Sequence, residues 1–331
     1  MKLTNRLSII IEWSNALLSE ADRSARMIQS LHRQAIAFRA LDPESPTVTL
    51  FPIEVLICFD SEKVSSETII AMAPGAEIGD TESLSIRHCE FPGAEYYELK
   101  NLGAKQAHGD LFLFMDSDVV PEDDWLKNIW ERFESHDYKI VAGITYIKPK
   151  GIYQKATALH WVFKPPPVWR DTRSAESFWA NNVCFRRGTF ERYPFPVLQS
   201  SSRGACQMLM DSLNADGVPI HVNGAARVTH PAPAGMRGYL ERALAQGRDR
   251  VLWHQQFSSW WMQAVPAAFL RWLKHTAAVT VEAVRYHRRY QLALWEVPAA
   301  LAVSWLYYSV FLVGEILTHV APDYAKKSFR V

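Results

Sequence analysis

The sequence lacks most features that name a function from composition alone. It has four cysteines, Cys58, Cys89, Cys184 and Cys206, in 331 residues. No two have metal-ligand spacing, and Cys58 lies in an apolar run, so reduced thiols in a cytosolic compartment are expected. Net charge is nearly absent: 36 Lys and Arg face 35 Asp and Glu, a formal +1. That gives no global argument for nucleic acid as a partner. No signal peptide is visible, because residues 1–6 are polar and the apolar run after them is too short. No internal repeat or low-complexity tract is present.

Apolar residues are plentiful, at 48%. The length suits one large α/β domain with an appendage, or two small domains. Nine of twelve tryptophans lie at or beyond Trp161, so the second half differs in character. "RLSIIIEWSN" and "EVLICFDSE" read as buried strands that end in polar residues, and "DLFLFMD" and "KIVAGITYI" as two more. Helical spacing runs through 16–38, and further helices are expected at "ETIIAMA", "NLGAKQAHG" and 121–135. "EYYELKN" reads as a strand or loop, 164–177 as a mobile loop, and "VPIHVNGAARVTHPAP" as a strand pair. Strands alternating with helices predict a mainly parallel sheet with helices on both faces. Ligands of such sheets bind beyond the strands' carboxyl ends, where Asn15, Asp60 and Asp116 would converge on one crevice.

The tail is distinct. Residues 297–314, "VPAALAVSWLYYSVFLVG", carry no charge, bracketed by Glu296 and Glu315. That is at the short end of the roughly 17–25 residues that span a bilayer. The preceding 264–290 segment mixes Trp, Arg, Lys and His with apolar residues, as an interfacial helix beside anionic lipid would. Two core-packed helices of a soluble domain are the alternative. Arg285, His287, Arg288 and Arg289 precede the apolar run, and Lys326, Lys327 and Arg330 follow it. That favours both ends on the cytoplasmic side over a single crossing.

"LFLFMDSDVVPEDDWL" (111–126) drives five apolar residues into two carboxylates, Asp116 and Asp118. Buried carboxylates are costly and repel each other. A hard divalent ion, Mg²⁺ or Mn²⁺, offsets the repulsion and would neutralise charge building on a departing diphosphate.

Here "YYELKNLGAKQAHGDLFLFMDSDVVPEDDWL" resembles the signature of family 2 glycosyltransferases of the GT-A fold. The signature runs as an Asn-x-Gly turn, a helix ending in Ala-x-Gly-Asp, a hydrophobic strand, Asp-x-Asp, then Pro and Trp-Leu. The likeness extends over about 6–235, through "LSIIIEWSN", "EVLICFD", "NNVCFRRGTF" and "DGVPIHVNGAARVTH". It implies a nucleotide-sugar donor, Mg²⁺ or Mn²⁺, and usually inversion at the anomeric carbon. Carried over, Asp60 would bond the nucleobase, Asp116 the ribose or metal, and Asp118 the metal directly. His230 would close the metal or diphosphate site. Glu12, Asn15, Asn101 and Ser117 fall in the donor-binding segments, and Trp179, Asn181, Asn182 and Cys206 in the acceptor region. Beside these stand plainer readings: Asp60 as a turn residue, His230 as a loop histidine, the paired asparagines as a turn.

Two departures stand out. Glu12-Trp13-Ser14 replaces the common Pro-Thr-Tyr. The usual Gly-Glu-Asp, one acid of which takes the acceptor's proton, reads Gly204-Ala205-Cys206. Asp211, or Glu176 and Asp171, could take the role; the acceptor could be acidic enough to need little help, as a phosphate is; or the chain could bind nucleotide and transfer nothing. A nucleotidyltransferase would share the crevice, but no Gly-rich phosphate loop follows the first strand. The expectation is therefore a GT-A domain at 1–235, with a helical segment at 236–331 docked on the cytoplasmic membrane face. It would move a sugar from a nucleotide-sugar to a lipid-linked or envelope saccharide or glycolipid. A non-catalytic GT-A-like scaffold is the rival.

Overall fold

The structure is a computed structural model and describes residues 6–20, 22–40, 53–81, 84–197, 204–257 and 265–329. Among the described residues the strands are β1 (Leu7–Glu12), β2 (Ile53–Phe59), β3 (Gly79–Asp80), β4 (Leu84–Glu90), β5 (Leu111–Asp116), β6 (Val120–Pro121), β7 (Ile140–Ile147), β8 (Thr172–Ala175), β9 (Asn182–Arg186) and β10 (Ile220–His230). The helices are α1 (Arg23–Ala40), α2 (Ser66–Met72), α3 (Tyr96–Gln106), α4 (Trp125–Ser135), α5 (Ile152–His160), α6 (Arg187–Arg192), α7 (Ala205–Ala215), α8 (Gly235–Phe257), α9 (Val265–Tyr286), α10 (Val297–Val320) and α11 (Pro322–Ser328).

The strands form one sheet in the order β3-β4-β2-β1-β5-β9-β7-β10-β6, with β8 paired to β10. Pairs β4-β2, β2-β1 and β1-β5 are parallel; β9 then runs antiparallel to both β5 and β7. Because strand side chains alternate, each strand feeds two cores. Ile9, Ile11, Val55, Ile57, Leu113 and Met115 pack with α1 and α4. Ile10, Leu56, Cys58, Phe112 and Phe114 pack on the other face with α3 and α7. Glu12, Cys58 and Asp116 share the parity of the second set, so their side chains lie on the α3 face.

Several local expectations change. "EYYELKN" is the first half of α3 and not a strand. Glu95 and Glu98 form a reciprocal capping box, and the buried Leu99, Lys100, Gly103 and Ala104 recur at helical spacing. The helix expected from Pro121 begins only at Trp125, because Val120 and Pro121 pair with Thr229 and Val228 as β6. The expected strand pair at 218–233 is one long strand, β10. Part of 164–177 is ordered as β8, and Arg227 donates to the Pro167 and Trp169 carbonyls just before it.

By compactness the chain divides into Met1–Thr145 with Pro166–His230, and Tyr146–Pro165 with Pro231–Val331. The first unit holds the sheet. The second is helical, with Tyr239, Tyr290, Tyr307, Ala156 and Leu159 at its centre. Leu294–Val320 is long and apolar enough to cross a membrane.

Candidate active site

The parallel register fixes the heart of the site. Glu12 stands opposite Cys58 on one side and Asp116 on the other. Two carboxylates therefore sit side by side on the α3 face, both buried. The helix answers them. Tyr96 and Lys100, one turn apart on α3, project onto Asp116: the Tyr96 hydroxyl donates to Oδ1 at 2.7 Å and Lys100 Nζ at 2.8 Å. Lys100 Nζ also donates to the Met115 carbonyl at 2.9 Å, and Lys100 is 0% exposed. Asn15 Nδ2 closes the other side, donating to Asp116 Oδ2 at 3.2 Å and Glu12 Oε1 at 2.7 Å.

With one lysine for two acids, the acids differ. Burial first, and then the neighbouring Asp116 charge, push Glu12 up to about 8. Ser14 meets Glu12 Oε2 through its amide at 2.9 Å and its hydroxyl at 2.5 Å. Burial and the same Asp116 charge raise the Tyr96 phenol well above its ordinary value, so it remains a donor.

Asp118 is handled differently. The 117–118 turn is held by its backbone: Arg23 Nε donates to the Asp118 carbonyl, Ser24 Oγ to that of Ser117 at 2.9 Å, and the Ser117 amide to that of Glu12 at 3.1 Å. Pairing of β6 with β10 then carries His230 beside the Asp118 side chain, with Nε2 3.6 Å from Oδ2. Ser117 is 0% exposed, and its hydroxyl has no hydrogen-bond partner among the described residues.

The donor set fits a divalent ion that arrives with a diphosphate. Among the described residues, no three His, Cys, Asp or Glu side chains gather to hold a metal by themselves. Mg²⁺ and Mn²⁺ commonly take one or two carboxylates and fill the remaining shell with phosphate oxygens and water. Asp118 and His230, 3.6 Å apart, are the side chains that would contribute to such a partial shell. Asp116 Oδ1, in contrast, is taken up by Lys100 and Tyr96.

Asp60 ends β2, one strand over. Its Oδ1 accepts the amides of Gly93 at 2.7 Å and Glu62 at 3.1 Å, and Lys63 Nζ lies 2.8 Å from Oδ2. Burial raises its pKa, but these bonds outweigh it and hold the carboxyl below its usual range. The turn role is thus visible. A carboxylate has about four acceptor positions, so one remains for a ligand.

Other expected site residues are used elsewhere. Asn101 grips Phe195, donating to its carbonyl at 2.8 Å and accepting its amide at 3.1 Å. Asn182 is a core cross-link: Oδ1 accepts Trp125 Nε1 at 2.9 Å and Nδ2 donates to the Ala226 carbonyl at 3.2 Å. Asn181 Oδ1 accepts the Thr145 hydroxyl at 2.8 Å and is also buried. Trp179 is 40% exposed. Cys206 is the second residue of α7, its thiol donating to the Phe178 carbonyl, and burial pushes it up to about 12. Asp211 is exposed on α7, accepting from Gln207, and Asp171 pairs with Arg173 on the surface. Glu176 is exposed, with its carbonyl accepting Asn214. No described contact joins these three acids to the carboxylate cluster. Residues 198–203, within the expected acceptor side, lie outside the described residues.

Tyr96 and Lys100 are the site residues that sequence reasoning missed. Their signal was the i, i+4 spacing within "YYELKN", hidden while that segment read as a strand or loop.

A family model described as "Glycosyl transferase family 2" matches residues 8–199. No curated protein sequence matches the chain. Among solved structures, a mannosyltransferase, PcManGT from Pyrobaculum calidifontis in complex with GDP-Man and Mn²⁺, is 15% identical with a TM-score of 0.50. The match covers 96% of this chain and 88% of that one, and the likeness is one of fold. GalNAc-T7 with UDP, GalNAc and Mn²⁺ matches at 10% identity and a TM-score of 0.47, covering 72% of this chain and 47% of that one.

Proposed function

The chain belongs to glycosyl transferase family 2, a glycosyltransferase of GT-A fold, and from that premise we propose that it is metal-dependent and transfers a sugar from a nucleoside-diphosphate sugar to a lipid-borne acceptor with inversion. The observation that carries the donor half is the division of labour between Asp116 and Asp118. One carboxylate is neutralised by Lys100; the other faces His230, where a cation would be held. Mn²⁺ or Mg²⁺ bound by Asp118 and His230 would supply charge neutralisation for the leaving diphosphate. The chain's own groups do the rest. Lys100, Tyr96 and Asn15 hold Asp116 rigid at the ribose side. Asp60 keeps one acceptor position toward the base. The Ser117 hydroxyl is a donor with no protein partner among the described residues, placed between the two aspartates.

The acceptor half follows from acid–base chemistry. A sugar hydroxyl needs a base at the attacking oxygen. Cys206 cannot serve, since its thiol is pushed up to about 12. Asp211 and Glu176 are surface side chains. These observations favour an acceptor that carries its own negative charge, a lipid phosphate, over a saccharide hydroxyl. The second unit supports a lipid acceptor through its exposed apolar residues on α9 and α10, among them Phe269, Leu270, Leu273, Val281, Trp305 and Leu306. We place it on the cytoplasmic face of the membrane.

The test is turnover. Full-length protein in vesicles carrying a polyprenyl phosphate is given each nucleoside-diphosphate sugar with Mn²⁺, and nucleoside diphosphate is measured. Release that needs both metal and lipid phosphate supports the reading. Donor binding without release would favour the scaffold.

A further inference from the structure

Among the described residues, two arginines of the second unit, Arg250 and Arg271, come together near one carboxylate, Glu315, at one helix crossing. α8 and α10 touch closely there: a Cβ on Gly247 would fall 2.2 Å from the Phe311 carbonyl oxygen, and one on Gly314 2.5 Å from that of Leu244. Side chains just beyond this contact meet on one face of α10. Arg250, three residues on from Gly247, sets its guanidinium over Phe311, with Cζ 5.7 Å from the ring centroid. Arg271 of α9 reaches Glu315, one turn on from Phe311, with Nε 3.2 Å from Oε1 and Nη2 3.3 Å from Oε2. Residues four apart on a helix are neighbours, so the two arginines flank the same stretch of α10.

One carboxylate thus serves two guanidinium groups, and it is engaged by Arg271 in a two-pronged contact. Arg250 has no hydrogen bond among the described residues. Burial lowers its pKa, the Glu315 charge opposes that shift, and repulsion from Arg271 adds to it. Arginine stays protonated regardless. His275, stacked on Tyr308 with centroids 5.1 Å apart, is depressed by burial and then by Arg250, Lys274 and Arg271, which keeps its imidazole neutral. Lys274 is exposed beside it.

We propose that Arg250 and Arg271, with Lys274 at the rim, bind the phosphate group of a membrane lipid. A guanidinium offers five donors in a planar fork that matches phosphate oxygens. The apolar chain attached to such a phosphate would cover Phe269, Leu270 and Leu273, which flank Arg271 on α9 and are all exposed. A free phosphate would leave that surface in water. The inference rests on the reading that this unit meets a membrane.

The experiment is co-sedimentation of full-length protein with vesicles. Three compositions are compared: phosphatidylcholine alone, phosphatidylcholine with phosphatidic acid, and phosphatidylcholine with a polyprenyl phosphate. Arg250→Gln, Arg250→Lys and the exposed control Arg285→Gln are tested alongside. Wild-type protein binds the neutral vesicles and binds about tenfold more tightly when either phosphate lipid is present, as expected for charge-assisted bonds. Arg250→Gln keeps neutral-vesicle binding, which shows that it is folded, and loses most of that gain. Arg250→Lys regains part of it, Arg285→Gln keeps it, and millimolar inorganic phosphate leaves it intact. The site is overturned if Arg250→Gln gains as much as wild type, or if Arg285→Gln loses as much as Arg250→Gln, since charge alone would then explain the gain. Displacement by inorganic phosphate overturns the lipid assignment. Failure to bind even neutral vesicles overturns the membrane reading itself, and is told apart by that arm.

Discussion

Lys100 and Asp116 form a buried ion pair, Nζ to Oδ1 at 2.8 Å, between a helix and a strand end that are sixteen residues apart. The pair fixes Asp116 in place before any ligand arrives. Removing only the lysine would leave a carboxylate buried beside Glu12 with no cation. Lys100→Met is therefore expected to cost ~3–5 kcal/mol of stability, read from urea unfolding. A loss below about 1 kcal/mol, the range of exposed pairs, would show that the pair does not hold the strand end.

Glu12 makes the stability depend on pH in a direction opposite to most carboxylates. Its folded pKa is raised from 4.5 to about 8, so the folded state binds the proton more tightly than the unfolded one. The contribution is fully present below about pH 4.5 and is lost as pH rises through about 8. Unfolding free energy should fall between those values, and Glu12→Gln, which cannot ionise, should flatten the slope. An equal slope in both proteins would remove Glu12 as the titrating group.

Cys206 stands where the resemblance places an acid, and its thiol is pushed up to about 12 by burial. Cys206→Ala should keep turnover within about twofold, and the thiol should resist alkylation at pH 8 in the folded protein. A drop of a hundredfold or more, the usual size of a general-base effect, would give this residue a chemical role after all.

The apolar face of α9 makes a prediction separate from chemistry. Leu270 and Leu273 are exposed on one side of it. Changing both to Glu should weaken vesicle binding by at least tenfold, since each buried side chain contributes about 1.5–3 kcal/mol. Soluble-donor binding should be unchanged. Unaltered vesicle binding would send the membrane contact elsewhere.

The sheet and the carboxylate pair were legible because both are local. An apolar run ending in Asp116-Ser117-Asp118 predicts a buried strand with a charge-handling end, and β5 is that strand. Lys100 was legible only in part: its i, i+4 spacing from Tyr96 is in the sequence, but that both side chains meet Asp116 depends on α3 crossing β5, which no spacing reports. Asn101, Asn181 and Asn182 show the converse: amides suit a ligand and a buried cross-link equally, and only the fold shows their bonds to Phe195, Thr145 and Trp125. The late start of α4 belongs to the same class. Proline and acids signal a helix start, but pairing with β10 claimed Val120 and Pro121 first.

The most direct measurement is the unfolding midpoint of detergent-purified protein with UDP-, GDP-, CDP- and dTDP-sugars, with and without Mn²⁺, for wild type and Asp118→Asn. A ligand at a hundred times its Kd adds about 2.7 kcal/mol to the folded state. A metal-dependent donor site predicts that one nucleotide raises the midpoint only when Mn²⁺ is present, and that Asp118→Asn abolishes the rise while leaving the ligand-free midpoint near wild type. No shift with any nucleotide under any metal condition, or an equal shift in Asp118→Asn, would contradict it.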